Sequence, residues 1–291
     1  MVLNQTTMLA RIGGDNQTRH FTLNIIKNFI IFSVCQDTHR PKKMTWIKLQ
    51  MARLLHTITS KPCRIQYTCS LYVDKFEKIA GVNFVKPVAP ILVLNGNIGK
   101  PTSIQTHHFL THCSRIWSHI LYIPGYYEMC DKGLTYTINY MKDKYYYIEN
   151  VHILHNEAKY FAEYDSLFLG TMNDRKWLGD MFANFKNLPQ TKIVALTYEI
   201  PNVTMIHPVD KTKRFVSRKR DLFPSVNAWV CGYSRGAYSF MYSNSVLCAY
   251  NARGSIDGVN DFEQKLGWCR SKYMDIPDTI VDYPGEQGCL I

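Results

Sequence analysis

The sequence has no Cys-x-x-Cys pair, and its nine cysteines are an odd number. The missing pair and the odd number both argue against a zinc ribbon and against a disulfide framework. The cysteines therefore predict mostly buried free thiols in a reducing, intracellular or cytoplasmic setting. Residues 1–15 lack the apolar segment of a secretory signal. The most apolar run, residues 21–35, contains Lys27 and Asn28 and is too short to cross a bilayer, which predicts no membrane span.

Acidic residues are the scarcer charge, with 23 Asp and Glu against 34 Lys and Arg and a net charge of +11. Such a balance favours a polyanionic surface or an acidic partner. The charge is uneven, because residues 1–62 carry nine basic and two acidic side chains, whereas residues 275–291 carry four acids and no base. We therefore divide the chain into a basic N-terminal extension at 1–62, a domain at 63–273 and an acidic tail at 274–291, which is either disordered or extended on another surface.

The N-terminal extension contains one pattern typical of an amphipathic helix, at residues 44–59. Its apolar positions at helical spacing include Trp46, Ile47, Met51, Leu54 and Leu55. Two interpretations remain open: the helix packs on its own domain, or it is presented to another protein subunit.

From residue 64 the pattern alternates between strands and helices, which predicts an α/β domain with parallel strands. Predicted strands are 64–69, 91–94, 121–123, 145–148, 151–154, 159–164 and 166–170, followed by a hairpin over 237–242 and 245–250. Predicted helices are 73–81, 103–118, 173–187 and 259–272. Asn173 or Asp174 is the expected N-cap of the third.

Five of the apolar runs end in turns that bear glycine or polar residues, in one order along the chain. They are RIQYTCSLYVD at 64–74, ILVLNGNIGKP at 91–101, ILYIPGYYE at 120–128, IVALTYEIP at 193–201 and AWVCGYSRG at 228–236. This series resembles the calcineurin-like metallophosphoesterase family over roughly residues 64–254. The resemblance implies that family's four-layer αββα sandwich of two mixed sheets.

In that family the five turns hold two metal ions, but the ligands are replaced here. Gly125 and Glu128 match the third motif. The positions of the family's ligands and catalytic residue fall on Ser70, Tyr72, Asn97, Tyr126, Tyr127, Tyr198, Tyr233 and Arg235. Neutral phenols are poor ligands for divalent metals, Asn97 lacks a bridging carboxylate's charge, and Arg235 is a permanent cation. The comparison with the family thus implies an inactive pseudoenzyme with no metal cofactor.

Two features leave alternatives open. The aromatic rings either fill the former cleft or wall a pocket in which Arg235 holds a phosphate or a base. A basic run in the loop before the fifth motif comprises Lys211, Lys213, Arg214, Arg218, Lys219 and Arg220. It is a solvated loop, a contact for phosphate or nucleic acid, or a nuclear-import signal.

The retained scaffold and lost ligands predict a structural or interaction role with other protein subunits. Degenerate phosphoesterase-like chains are associated with large DNA viruses, so the resemblance implies a virion or capsid-associated component, located in the virion if the chain is viral. The alternatives are nucleic-acid or phosphate binding through the basic run and Arg235, and a residual metal-dependent phosphodiesterase.

Overall fold

The computed structural model describes residues 61–76, 84–129, 132–185, 191–201, 226–233, 237–242, 246–253 and 269–276. The sequence predictions that lie outside the described residues include the partner helix at 44–59, the basic run at 211–220, Arg235, most of the helix at 259–272, and the acidic tail beyond residue 276. Within the described part, no helix combines the length and apolar character needed to cross a membrane.

The first sheet has five strands. They are β1 (Arg64–Thr68), β2 (Ile91–Asn95), β3 (His119–Ile123), β4 (Val151–Ile153) and the late strand β11 (Tyr273–Asp275), in the order β11-β1-β2-β3-β4. The four early strands are parallel and β11 is antiparallel to β1. Arg64 on β1 donates two hydrogen bonds to the Asp275 carboxylate on β11, at 2.7 and 3.0 Å. The first residues of the predicted acidic tail therefore belong to the sheet of the domain.

The second sheet has six strands. They are β5 (Glu157–Phe161), β6 (Ser166–Thr171), β7 (Lys192–Thr197), β8 (Ala228–Cys231), β9 (Ala237–Tyr242) and β10 (Val246–Asn251), in the order β5-β6-β7-β8-β10-β9. Its four central strands run parallel, whereas both edge strands run antiparallel to their neighbours. Both sheets are thus mixed, as the sequence predicts.

Helices cover the outer faces. The described helices are α1 (Ile104–Ser114), the short α2 (Tyr126–Met129) in the turn after β3, α3 (Leu134–Tyr145) and α4 (Arg175–Phe185), of which α1, α3 and α4 lie on the outer faces. Ser103 caps α1, since its Oγ accepts a hydrogen bond from the Gln105 amide at 3.1 Å. Asp174 caps α4 in the same way through the Trp177 amide at 2.9 Å, which confirms one of the two predicted caps.

Alternating side chains separate the layers. On β2, Ile91 and Val93 pack between the two sheets, whereas Leu92 and Leu94 pack in the cluster that includes residues of α1 and α3. The second sheet repeats this arrangement, with alternate residues facing the first sheet and α4. Since a strand's successive side chains point to opposite faces, the order of layers is helix, sheet, sheet, helix. The predicted αββα sandwich is confirmed.

Three local predictions are wrong. Residues 145–148 do not form a strand, because Tyr145 ends α3, which the sequence analysis missed. The run of three tyrosines favours a strand by propensity, but Ile138, Met141 and Tyr145 recur at helical spacing and are all buried. Residues 162–164 form a 3₁₀ turn instead of extending a strand, and Val73–Lys75 is a single 3₁₀ turn within the predicted helix. Residues 77–83 lie outside the described part of the chain.

Candidate functional site

The C-terminal ends of β1, β2, β3, β7 and β8 meet at one edge of the sandwich, where their turns are linked by the backbone. The Ser70 amide donates to the Gly96 carbonyl at 2.9 Å, and the Gly232 amide donates to the Thr197 carbonyl at 2.9 Å. The two sheets are joined here as well, because the Asn95 side chain donates to the Val230 carbonyl at 2.9 Å. This edge is where an α/β sheet places ligands, and it gathers seven of the eight predicted site positions.

Tyr198, directly after β7, lies at the centre of this edge and is 0% exposed. Its ring lies against three glycines from three different turns. A Cβ on Gly96 would overlap Cδ2 of the ring, one on Gly125 would lie 2.5 Å from Cε2, and one on Gly232 would lie 3.1 Å from Cδ2. Only glycine leaves room for the phenol at the first two positions. The ring of Tyr198 therefore fills the space between the turns.

Asn97 connects the surrounding side chains through its amide. Its Nδ2 donates to the Tyr198 hydroxyl at 3.0 Å and to the Tyr72 hydroxyl at 3.3 Å. Its Oδ1 accepts from the Tyr127 backbone amide at 3.1 Å. One neutral amide thus binds three of the predicted positions, using both its donor and its acceptor groups.

Burial keeps these phenols neutral. It raises the pKa of Tyr72 to about 12, against hydrogen bonds from Ser70 and Asn97 that favour the phenolate. Burial also raises the pKa of Tyr198 well above its ordinary value. Both hydroxyls therefore stay protonated at neutral pH and act as neutral hydrogen-bonding partners of Asn97.

The tyrosine rings at this edge pack edge to face in two groups. In the first, Tyr198 lies 5.3 Å from Tyr126 and 5.3 Å from Tyr233 between ring centroids, at interplanar angles of 83° and 70°. In the second, Tyr72 and Tyr127 are 4.8 Å apart at 79°. Edge-to-face pairs at these distances contribute on the order of 1 kcal/mol each beyond the area that they bury.

Three charged side chains of the described residues lie at the rim of the tyrosines. The Tyr127 hydroxyl donates to Asp74 at 2.8 Å, and the Tyr126 hydroxyl donates to Glu199 at 3.3 Å. Lys75 places its Nζ 5.6 Å from the Tyr72 ring and 5.8 Å from the Tyr127 ring. The sequence analysis did not name Asp74, Lys75 or Glu199. Their positions within two or three residues of Tyr72 and Tyr198 were the available signal.

Glu128 retains a role that needs no metal. Its buried carboxylate accepts hydrogen bonds from the backbone amides of Asn97 at 2.9 Å, Ile98 at 2.6 Å, Gly99 at 3.4 Å and Gly125 at 2.8 Å, and from the Tyr122 hydroxyl at 2.8 Å. Burial raises the pKa of Glu128, and these donors act in the opposite direction. The carboxylate ties the turn after β2 to the turn after β3.

The backbone of the turns is left-handed at several bulky residues. Among the described residues, six non-glycine positions have positive φ, and four of them are predicted site positions: Ser70 at 54°, Tyr72 at 51°, Asn97 at 55° and Tyr233 at 36°. Such a conformation costs a tyrosine on the order of 1 kcal/mol or more, and it persists only where the surrounding structure enforces it. The turns therefore keep a geometry that these side chains do not prefer.

These side chains do not fit a two-metal centre. Among the residues that the structure describes, no three His, Cys, Asp or Glu side chains come together as a metal site would require. Glu128 directs both carboxylate oxygens to donors of the protein, and Tyr198 takes up the space between the turns. A pair of divalent ions needs several anionic or imidazole ligands that converge on an open volume, whereas the carboxylates of Asp74 and Glu199 are hydrogen-bonded to different tyrosines at the rim.

Solved structures of other proteins have a fold similar to that of this chain. Twenty-three chains of solved structures match the protein. Phosphopantetheinyl hydrolase from Mycobacterium tuberculosis is 10% identical, with a TM-score of 0.53 over 78% of this chain and 100% of that chain. A dimetal phosphatase from Danio rerio is 9% identical, with a TM-score of 0.41 over 65% and 87%. No protein-family model and no curated protein sequence matches. The chain shares the fold of the phosphopantetheinyl hydrolase.

Proposed function

We propose that this chain is a catalytically inactive, degenerate metallophosphoesterase-like protein with a structural or interaction role. The observation that carries the proposal is the position of Tyr198, whose buried ring lies against Gly96, Gly125 and Gly232 in the space between the five turns. An enzyme of this fold needs that space for its metal ions and its substrate.

The backbone strain supports a degenerate site over an unrelated one. Tyr72, Asn97 and Tyr233 keep left-handed conformations at the positions where the family's ligands fall. A tyrosine side chain does not favour a left-handed backbone conformation, whereas a turn geometry inherited from a metal-binding ancestor accounts for it. Glu128 holds two of the turns in place through four backbone amides, so the geometry survives without a metal.

The structural or interaction role depends on the surface of the protein. The basic extension at 1–62 and the acidic residues after 275 have opposite charge and are suited to binding neighbouring protein subunits. The finer proposal, a virion or capsid-associated component of a large DNA virus, rests on the resemblance to degenerate phosphoesterase-like chains. Cross-linking of the native assembly tests it, with cross-links expected from 1–62 and 275–291 to other chains. A native assembly without such cross-links would contradict the scaffold role.

Metal binding and turnover test the loss of catalysis. The full-length protein is titrated with Mn²⁺ and with Zn²⁺ by calorimetry, and it is assayed on bis-p-nitrophenyl phosphate beside an active dimetal phosphatase. We expect no stoichiometric binding and no hydrolysis above the blank. Stoichiometric binding together with turnover, both lost in Asn97→Ala, would overturn the proposal and favour the residual phosphodiesterase.

A second candidate function is phosphate or nucleic-acid binding through the 211–220 run and Arg235. The net charge of +11 favours it, because a cationic surface attracts polyanions. Replacing Lys213, Arg214 and Arg218 by Gln is expected to weaken oligonucleotide binding and to flatten its dependence on salt. Unchanged affinity and salt slope would exclude the run as the contact.

A further inference from the structure

One face of α3 carries a repeating stripe of cations and tyrosines. Tyr136, Tyr140 and Lys144 follow one another at intervals of four residues along α3, and Lys132 lies just before the helix begins at Leu134. Lys132 places its Nζ 5.0 Å from the centroid of Tyr136, and Lys144 places its Nζ 5.6 Å from that of Tyr140. The two rings are nearly parallel, at 11°, with centroids 6.2 Å apart. We call this row the α3 stripe.

Along the stripe, Lys132 and Tyr136 are exposed, whereas Tyr140 and Lys144 are half-buried. Thr137, Ile138, Met141 and Tyr145 face the core. Tyr136 is 50% exposed, although a ring of this size is usually buried. Two further exposed rings follow the helix directly, Tyr146 at 81% and Tyr147 at 52%. The same region of the surface therefore presents several aromatic faces to solvent.

Lysines predominate around the stripe, and one of them, Lys142, pairs with Glu157 on β5. Lys144 donates to the Pro101 carbonyl at 2.6 Å, which places the turn containing exposed Lys100 beside the helix end. The Tyr147 hydroxyl lies 3.3 Å from Nε2 of His107 on α1. Residues 132–147 carry three lysines and one acidic residue, Asp143.

The geometry points to single-stranded nucleic acid as the ligand of this face. We propose that bases stack on Tyr136 and on the exposed tyrosines after α3, while Lys132 and Lys144 at the two ends of the stripe contact phosphates. The twelve residues of α3 span about 18 Å, the length of about five stacked nucleotides at ~3.4 Å each. Flat aromatic faces among cations are the combination that binds single strands with little sequence preference.

A protein or membrane partner fits the stripe less well. Lysine is depleted at the centres of protein interfaces, whereas lysines mark both ends of this row. An interfacial membrane helix presents Leu, Phe or Trp on its apolar face, and the exposed rings here all carry hydroxyls. The interaction involves different residues from those in the 211–220 run and does not depend on the absence of catalysis.

Fluorescence anisotropy of a labelled 20-nucleotide oligo(dT) with the full-length protein tests the proposal. The double variant Tyr136→Ala/Tyr140→Ala is expected to raise Kd about 5- to 150-fold for each stacked base lost, whereas Tyr136→Phe/Tyr140→Phe stays within about twofold because the rings remain. Lys132→Gln is expected to lower the slope of log K against log[salt] by about 0.7.

Tyr273 supplies the matched control. It is 45% exposed, and Arg64 places Cζ 4.6 Å from its ring centroid, but it lies on β11 and not on the stripe. Tyr273→Ala is expected to leave Kd unchanged, and circular dichroism checks that each variant is folded. The proposal is overturned if the Tyr→Ala pair binds as tightly as the parent protein, if the Phe pair loses as much as the Ala pair, or if the parent protein fails to bind the oligonucleotide at 50 mM salt.

Discussion

Tyrosine has opposite roles in two regions of this molecule. At the strand ends, Tyr198 is 0% exposed, lies against glycines and shares its hydroxyl with the Asn97 amide. On α3, Tyr136 is 50% exposed and its ring contacts a lysine and another tyrosine. The first region uses the ring to fill space, whereas the second leaves the ring available. The comparison teaches that a tyrosine-rich composition does not by itself indicate a binding site.

The two regions also differ in what holds them. Several turns from both sheets converge on the buried cluster, and the Glu128 carboxylate fixes two of them through backbone amides. The α3 stripe depends on one helix, and its side chains contribute pairwise interactions of only a few tenths of a kcal/mol. Substitutions in the first region should therefore act on stability, and those in the second on binding.

The largest effect is expected for Tyr198→Ala. Removing a fully buried aromatic ring leaves a cavity and takes a partner from Asn97, so the free energy of unfolding should fall by about 3–5 kcal/mol. Urea denaturation followed by far-ultraviolet circular dichroism measures the change. A loss below about 1 kcal/mol would show that the ring does not fill the site.

A smaller loss is expected for Gly125→Ala. Its Cβ would lie 2.5 Å from Cε2 of Tyr198 and 2.8 Å from Oδ1 of Asn97, so overpacking should cost about 1–3 kcal/mol. In a Tyr198→Ala background the same change should cost less, because the ring is gone. A double-mutant cycle measures this coupling, and strict additivity would contradict the contact.

The sequence predicts the strands and turns around the buried tyrosines better than the contacts among their side chains. The five strand-and-turn units correctly predict that Tyr72, Asn97 and Tyr198 meet at one edge, because parallel strands end on the same side of a sheet. The role of Asn97 as a shared amide and the left-handed turn at Tyr72 depend on side-chain packing between distant segments, which periodicity does not encode. The sequence analysis assigned no element to residues 134–144 and predicted a strand from the tyrosines at 145–147, whereas the buried residues Ile138 and Met141 belong to a helix.

Lowering the pH should affect the stability of the two regions differently. His152 on β4 lies beside the end of α3, and burial, reinforced by Lys159 and His119, lowers its pKa from 6.5 to about 3. The folded state thus binds this proton less readily than the unfolded state, so stability is lost as pH falls from about 6.5 towards 3. The slope from one such group is at most about 1.4 kcal/mol per pH unit, and the tyrosines at the strand ends stay neutral over this range.

Hydrogen exchange at pH 7 and pH 5 locates this loss. Amides of α3 and β4 should lose protection first, while those of the turns after β2 and β3 should change less. His152→Gln, which does not titrate, is expected to flatten the pH dependence of unfolding. An equal slope in the parent protein and in His152→Gln would assign the acid sensitivity to other groups.

The smallest effect on stability is expected for Tyr136→Ala, which should change the free energy of unfolding by less than about 0.5 kcal/mol. Its ring is half exposed and lies beside Lys132 and Tyr140 at the surface. Its stability curve should therefore nearly coincide with that of the parent protein even where its oligonucleotide binding falls. Tyr198→Ala should behave in the opposite way, because it destabilises the fold but removes no side chain from α3. At temperatures where this variant remains folded, it should bind oligo(dT) as tightly as the parent protein. If Tyr136→Ala unfolded as easily as Tyr198→Ala, the rings on α3 would be structural too, and the division between filling and exposed tyrosines would fail.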